Sequence, residues 1–177
     1  NLQITVVAAD AADIVSNAGH VRISLVEGEL EAEPVEALRL NASFGYLHYK
    51  TLDLGAAAGV PGGPCLTCMP AYVPTWKYNL GVQYRIDLAR AGTLTPRLDW
   101  TYQTKVYNDP SNNPLLLQPG YGLLDARLTW DSMDGRWEAA LTLQNALNKV
   151  YYVNMFDDLQ GFNSVTGQPG WPRTVLG

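Results

Sequence analysis

From Trp76 to Leu88 apolar and polar positions alternate without a break. Trp76, Tyr78, Leu80, Val82, Tyr84, Ile86 and Leu88 stand against Lys77, Asn79, Gly81, Gln83, Arg85 and Asp87. A two-residue period puts each set on one face of a strand, whereas a helix would scatter both around its circumference. The run is longer than the usual strand of about five or six residues, and roughly nine to eleven tilted residues suffice to cross the hydrocarbon core of a bilayer. Aromatics near both ends of the apolar set, with aliphatics between them, fit the interface girdles of a membrane barrel strand. Taken alone, the stretch fits a long sandwich strand with one wet face equally well.

The same period recurs along the chain. Leu2, Ile4 and Val6 form a short first strand that fades at Ala8 to Asp13, and Ser16 to His20 reads as a loop. Between Val21 and Glu33 the phase slips: Ile23 and Leu25 are odd, Leu30 and Ala32 even, which predicts a bulge around Gly28. A turn at Pro34–Ala37 leads into Leu38 to Lys50, and Asp53 to Val73 is a long Gly/Ala/Pro-rich loop. After the turn Ala89–Gly92, the set Leu94, Pro96, Leu98, Trp100 and Tyr102 should pair back on the opening stretch. A turn centred near Ala91 would set Val82 against Trp100, Leu80 against Tyr102 and Gln83 against Asp99. A second loop, Asn108 to about Gly120, precedes Leu124–Trp130. The tight Ser132–Gly135 turn precedes Trp137–Leu143, and a last loop, Asn154 to Gly170, precedes Trp171–Leu176.

These runs make an all-β chain of about eight antiparallel strands whose connections alternate long and short. Up-and-down membrane barrels sort their connections in this way, with short periplasmic turns and long extracellular loops; Greek-key sandwiches have no reason to. The expected topology puts the turns at Pro34, Ala91 and Met133 in the periplasm and the loops around Ala12, Gly62, Asn112 and Gln160 outside.

Composition agrees. The chain has 177 residues, 47% of them hydrophobic and only 16% charged, a size that fits one domain. A net charge of −5 disfavours nucleic acid as a partner. No run approaches the roughly 18 apolar residues of a membrane helix, so a membrane span has to be made of strands. Asn1 opens directly on strand-like residues without a basic start and apolar region before it, which leads to the expectation of an incomplete chain.

Candidate chemistry is sparse. Cys65-Leu66-Thr67-Cys68 lies in a Pro/Gly loop that offers neither a helix N-terminus nor further metal ligands, so a loop disulfide is expected in an oxidising exterior, with free thiols as the alternative. His20 and His48 are too few to build a site, and Ser24 and Ser43 have no base beside them, so neither enzyme, metal nor cofactor is expected. Glu27, Glu29, Glu31 and Glu33 read as the hydrated side of a strand, as do Arg39, Lys77, Gln83, Arg85, Arg97, Asp99, Arg127 and Glu138. Tyr46, Trp76, Tyr84, Trp100, Trp130 and Trp137 belong to the apolar face. Among aromatics only those in loops, such as Tyr72, Tyr107 and Phe162, are open to sugar stacking.

An ordered set of short patterns resembles the C-terminal part of a TonB-dependent outer-membrane receptor. Asn17-Ala18-Gly19 and Gly28-Glu29-Leu30-Glu31 are similar to that family's Asn-Ala-Gly turn and Gly-x-Glu-x-Glu strand, and Leu94–Tyr102 to a late strand. Asn145-Ala146-Leu147-Asn148-Lys149-Val150-Tyr151 resembles the Asn-Leu-x-Asn-Lys-x-Tyr signature near the barrel end, and Gly170-Trp171-Pro172-Arg173 the Gly-x-Pro-Arg opening of the last strand. The resemblance implies residues 1–177 as a segment of a 22-stranded barrel in the outer membrane of a Gram-negative bacterium, surrounded by lipid. It further implies a plug domain and TonB-box not found in these residues, and import, energised through TonB, of a scarce large ligand such as a ferric siderophore, cobalamin or a glycan. Arg39, Lys77, Gln83, Arg85, Arg97, Asp99 and Arg127 would then face the plug or border the substrate path. Val175-Leu176-Gly177 departs from the terminal aromatic of that family. A complete eight-stranded barrel with a structural or adhesive role is the alternative.

Overall fold

The computed structural model describes residues 3–7, 13–17, 19–158 and 164–177. The strands in chain order are β1 (Gln3–Val7), β2 (Asp13–Asn17), β3 (His20–Val35), β4 (Leu38–Asp53), β5 (Trp76–Tyr84), β6 (Ile86–Asp87) and β7 (Thr93–Gln103). They continue with β8 (Val106–Tyr107), β9 (Leu117–Gln118), β10 (Tyr121–Asp131), β11 (Glu138–Gln144), β12 (Tyr152–Asp158), β13 (Ser164–Pro169) and β14 (Thr174–Leu176).

One large antiparallel sheet runs in the order β14-β11-β10-β7-β5-β4-β3, with β6 continuing β5 along β7. Apart from β14, which pairs across the last loop, neighbours in the sheet are consecutive long strands, the up-and-down order expected from the loop lengths. The path is open: among the described residues β3 and β14 do not pair with each other. Three two-stranded sheets, β1-β2, β8-β9 and β12-β13, stand apart from it. The first strand expected from the alternation is therefore β1 in a hairpin with β2, and the last two long connections carry the hairpins β8-β9 and β12-β13 in addition to loop. The expected loop centres Ala12 and Gln160, and Phe162, lie outside the described residues.

Apolar positions collect on one face. Leu40, Val82, Leu98 and Ala126 lie in line across β4, β5, β7 and β10 through the pairs Leu40↔Val82, Val82↔Leu98 and Ala126↔Leu98, with Leu80 and Leu128 one same-face position to either side. Nothing covers them: Leu30 is 62% exposed, Leu80 50% and Leu141 54%. The surface area is 11969 Å², against roughly 8,500 Å² expected of a globular chain of 19.4 kDa. Among the described residues the buried hydrophobic ones, Ala57, Val106, Leu116 and Met155, lie in the long connections rather than in the large sheet. Such a sheet has an apolar coat in place of a core, and it needs apolar surroundings.

Two expectations are corrected. No bulge lies at Gly28: β3 and β4 keep one register from Val21↔Thr51 to Ala32↔Leu40, and the shifts fall at His20/Val21 and at Ala32/Val35, beside the donor-less Pro34. Ile23 and Leu25 instead keep their phase and sit on the otherwise polar face, more than half exposed, where Tyr49 and Leu47 lie opposite them and residues of the 53–75 loop approach Ile23. At sixteen residues each, β3 and β4 run about 54 Å, longer than a membrane crossing requires. The apolar face changes sides where the strands leave the band of aromatics.

The hairpin register also differs from the expected one. Leu80 lies opposite Trp100, Val82 opposite Leu98 and Gln83 opposite Arg97, and Ile86↔Leu94 continues the same pairing. The turn is a short 3-10 segment, Ala89–Ala91, closed by the Leu88 amide donating to the Gly92 carbonyl at 2.8 Å. It centres on Arg90 rather than Ala91. Moving the centre by one residue moves the register by two, which changes every partner and leaves every face unchanged. Gly92 has φ +90, and a side chain there would strike the Asp131 carbonyl, so glycine is required at that turn.

Pro96 stands opposite Leu128 in the interior of β7. The other two short connections are the Glu36–Ala37 turn between β3 and β4 and the Ser132–Trp137 turn between β10 and β11, whose Gly135 has φ +66.

Candidate functional site

The register aligns the polar face into rows. Arg39, Gln83, Arg97 and Arg127 are successive cross-strand partners on β4, β5, β7 and β10, and Asn41, Gly81, Asp99 and Asp125 form the next row. The arginines are neutralised within this wall. Arg97 Nε donates to Asp99 Oδ2 at 2.7 Å, and its Nη2 donates to Asn41 Oδ1 at 3.0 Å, reaching across β5 at Gly81, where any side chain would collide with Asn41. Arg39 pairs with Glu33 at 2.6 Å, and Arg127 lies 3.9 Å from Glu138 and donates to Thr129 at 3.2 Å. Asn79 donates to Ser43 at 2.9 Å. Lys77 stands opposite Gly45, with Glu27 on the far side of that glycine. Arg85 sits in the break between β5 and β6, its amide donating to the Ala37 carbonyl at 2.7 Å. The seven candidates thus share one face, and the register draws three arginines into one row beside their carboxylates.

At the end of the sheet opposite the short turns, the long connections bind one another. The Asn112 amide acts as a surrogate strand partner, its Oδ1 accepting from the Met69 amide at 2.7 Å and its Nδ2 donating to the Met69 carbonyl at 2.9 Å. The Tyr72 amide donates to the Tyr107 carbonyl at 2.8 Å and its hydroxyl to Asn154 at 3.2 Å. Asn113 reaches Asp157 at 2.6 Å, and buried Gln118 accepts from the Tyr152 amide at 2.8 Å. Asp109 organises its own loop by accepting from the Ser111 and Asn113 amides at 3.0 and 2.9 Å. Between these loops opens a cleft of about 640 Å³ lined by Tyr72, Asn108, Asp109, Phe156 and Asp157 among others.

Cys65 and Cys68 are joined, S–S 2.11 Å, within a turn closed by the Cys68 amide donating to the Cys65 carbonyl. With Met69, Pro70 and Val73 the pair lies over Ile23, Leu47 and Tyr49, leaving a mostly apolar cavity of about 370 Å³.

The signature residues form a clasp at the neck of the last loop. Asn145, 3% exposed and at φ +47, donates through Nδ2 to the carbonyls of Lys149 and Trp171 at 2.9 and 3.0 Å. Its Oδ1 accepts from the Lys149 amide at 2.8 Å, and its own amide donates to Asp125 at 2.8 Å. Asn148, at φ +51, accepts from the Arg173 amide at 3.2 Å. The Tyr151 ring packs where Gly170 has no side chain and stacks on Tyr121 at 4.6 Å, and Pro172 follows in the strand's approach. Sequence reasoning found this motif by resemblance. Asn108 and Asn112 carry only the weak signal of asparagine in a turn-rich loop, a residue that tolerates positive φ and caps its own backbone, and Gln118 carries none.

On the apolar face the aromatics gather toward the loop end. Tyr46 and Trp76 meet at 4.5 Å, Tyr78 stacks on Tyr102 at 5.3 Å, and Trp100 stacks on Tyr102 at 5.8 Å. Toward the short turns lie Tyr84 and Trp130, the latter donating through its indole N–H to the Ala91 carbonyl at 2.7 Å. Trp137 closes the last short turn and is 71% exposed. No group of three or more metal-binding side chains occurs among the described residues.

Residues 1–146 match the family described as TonB dependent receptor-like, beta-barrel. Among solved structures, the ferric yersiniabactin uptake receptor FyuA from Yersinia pestis is 25% identical and superposes with a TM-score of 0.74 over 92% of this chain and 23% of its own. BauA, the ferric preacinetobactin receptor from Acinetobacter baumannii, is 22% identical with a TM-score of 0.66 over 98% of this chain and 24% of its own. The ferric citrate transporter FecA is 20% identical with a TM-score of 0.62 over 88% and 23%. This chain therefore spans about a quarter of the length of those receptors. No curated protein sequence matches it significantly.

Proposed function

Because the chain belongs to the TonB-dependent receptor β-barrel family, a family of receptors and transporters rather than enzymes, we propose that it forms part of an outer-membrane receptor that imports a scarce, large ligand. The observation that carries this reading is the division of the sheet into a bare apolar face and a charge-paired polar face, with all long connections at one end. Lipid satisfies the first face, and a filled or watered lumen satisfies the second. The aromatic bands mark the two interfaces, the short turns lie in the periplasm and the loop cluster outside.

The wall of Arg39, Lys77, Gln83, Arg85, Arg97, Asp99 and Arg127 faces the plug domain and borders the ligand's path. Arg39, Arg97 and Arg127 are already paired with carboxylates, so this row of the wall is polar and close to neutral, suited to a plug that must be displaced without breaking strong bonds. The ferric complexes bound by FyuA, BauA and FecA favour a ferric siderophore over cobalamin or a glycan as the ligand class. The coupling to TonB would run through the plug. The open strand path gives no support to a closed eight-stranded barrel with a structural role.

Deleting the full-length gene in its host should abolish growth on one ferric siderophore as iron source, and complementation should restore it only where TonB is intact. Growth unchanged on every ferric complex while uptake of cobalamin or a glycan is lost would move the ligand class. Recovery of the full-length protein without detergent would end the membrane reading.

A further inference from the structure

Of the loop aromatics open to sugar stacking, Tyr107 has Lys105 Nζ 5.8 Å from its ring centroid, whereas Tyr72 borders the cleft between the long connections. Tyr72 stands at φ +63, a left-handed conformation that bulky side chains rarely adopt. Two other connections hold it there, Tyr107 through the Tyr72 amide and Asn154 through its hydroxyl. The ring is thereby fixed while 54% of the residue stays exposed. Phe156, also 54% exposed, lines the same cleft from the β12-β13 hairpin. No aromatic ring among the described residues stacks on either.

Around the two rings the cleft offers hydrogen-bond acceptors. Asn108 is only 5% exposed, and its Nδ2 donates to the Leu116 carbonyl at 3.0 Å, which fixes the orientation of the amide. Its Oδ1 has no partner among the described residues. Since no fully enclosed side-chain oxygen there is left unpartnered, that Oδ1 opens into the cleft that Asn108 lines. Asp109 and Asp157 stand on the same walls, tied together by Asn113, whose amide donates to Asp109 at 2.9 Å and whose Nδ2 donates to Asp157 at 2.6 Å. The described lining contains no lysine, arginine or histidine. An anionic group would meet two carboxylates without a compensating cation and is repelled. What fits is a ligand that donates several hydrogen bonds and also carries an apolar face.

We propose that this cleft binds a neutral pyranose ring, either as a free saccharide or as a sugar carried by a larger ligand. The C–H groups of such a ring lie against the negative face of Tyr72 or Phe156, and its hydroxyls donate to Asn108 Oδ1 and to the carboxylates. Acceptors spread around the rings match hydroxyls on several carbons, whereas an ammonium group would engage one of them. The inference rests on the reading of the loop end as the extracellular side, and not on which ferric complex crosses the barrel.

The test uses the full-length receptor extracted from outer membranes into a detergent without a sugar headgroup. Methyl glycosides of glucose, galactose, mannose and N-acetylglucosamine are compared with sodium gluconate and choline by saturation-transfer NMR. At least one neutral glycoside should receive saturation at its ring protons, and gluconate should not. Tyr72→Ala and Phe156→Ala should each weaken that binding by about tenfold while keeping the heat-dependent gel mobility of a folded barrel. Phe156→Tyr, which retains a ring, should leave it within about twofold. Where Tyr72→Ala disturbs the loops, Phe156→Ala decides, because that side chain is exposed. A ferric hydroxamate carrying one glucose, set against its sugar-free parent, separates the sources: tighter binding than methyl glucoside marks a sugar borne by an iron complex, and no gain marks a free saccharide. Absence of transfer to every neutral glycoside would overturn the proposal, as would transfer unchanged in the folded alanine variants or confined to choline. Failure to recover the receptor from the outer membrane would overturn the membrane reading instead.

Discussion

Leu80 and Leu116 are both leucines at apolar positions, yet Leu80 is 50% exposed and Leu116 only 4%. Leu80 belongs to the sheet, where regular backbone pairing does the ordering and side chains point into the surroundings. Leu116 belongs to the loop cluster, where side-chain amides order irregular backbone and a small core forms beneath them. The two regions invert the usual division of labour, in which sheets carry the core and loops lie bare. A sheet coated by lipid does not have to bury its side chains in protein, and it tolerates truncation so long as its face stays apolar. Loops standing in water with no scaffold above them have to make their own interior.

This contrast can be broken or sharpened by substitution. The largest effect is expected at Asn145, whose replacement by alanine leaves the Lys149 amide and the carbonyls of Lys149 and Trp171 unpartnered. A loss of about 4 kcal/mol should appear as a lowered denaturant midpoint of the folded barrel, and an unchanged midpoint would show that the clasp carries no stability.

Polarity, rather than size, should matter on the sheet. Leu80→Arg is expected to cost about 3 kcal/mol in refolding into lipid bilayers, whereas Leu80→Ala should cost only about 1 kcal/mol. Leu116→Ala, by contrast, should cost about 2.5 kcal/mol through the cavity it leaves. If the two alanine substitutions prove equal, the distinction between a coated sheet and a cored loop cluster fails.

Smaller effects are expected on the polar face. Arg97→Gln removes the pairing with Asp99, and because both groups are about a third exposed the cost should be about 1 kcal/mol, read from the same denaturation midpoint. The smallest concerns pH. At the short turn after β10, the Ser132 hydroxyl and then the Arg136 amide donate to Asp134 and hold its carboxyl below the ordinary value of 3.8. A depressed carboxyl contributes its stabilisation fully above the unfolded value and loses it as the pH falls through the folded one. Hydrogen exchange at the Arg136 amide should therefore lose protection only below the ordinary aspartate range, and Asp134→Asn should flatten that dependence.

Much of the sheet is legible in the residues themselves. Lys77, Gln83, Arg97 and Arg127 are assigned to one face by parity alone, and parity survives even where the partners change. The partners are less secure, because a turn centred on Arg90 instead of Ala91 shifts the register by two, and no local feature of Ala89–Gly92 separates the two centres. The loop cluster is barely legible. Asn112 with Met69, and Gln118 with Tyr152, are contacts between segments far apart in sequence, and they carry no periodic signal.

The alternation of Trp76–Leu88 and its neighbours determined, without any coordinates, the antiparallel strands, their two faces and the sorting of short from long connections. Those properties follow from the two-residue repeat of an extended backbone, which is local. Tertiary structure decided the rows of arginine and carboxylate, the clasp at Asn145 and the meaning of the phase slip in β3. Ile23 lines, with Leu47 and Tyr49, the cavity beside the loop with Cys65 and Cys68, and a residue's surroundings depend on segments that its own period does not encode.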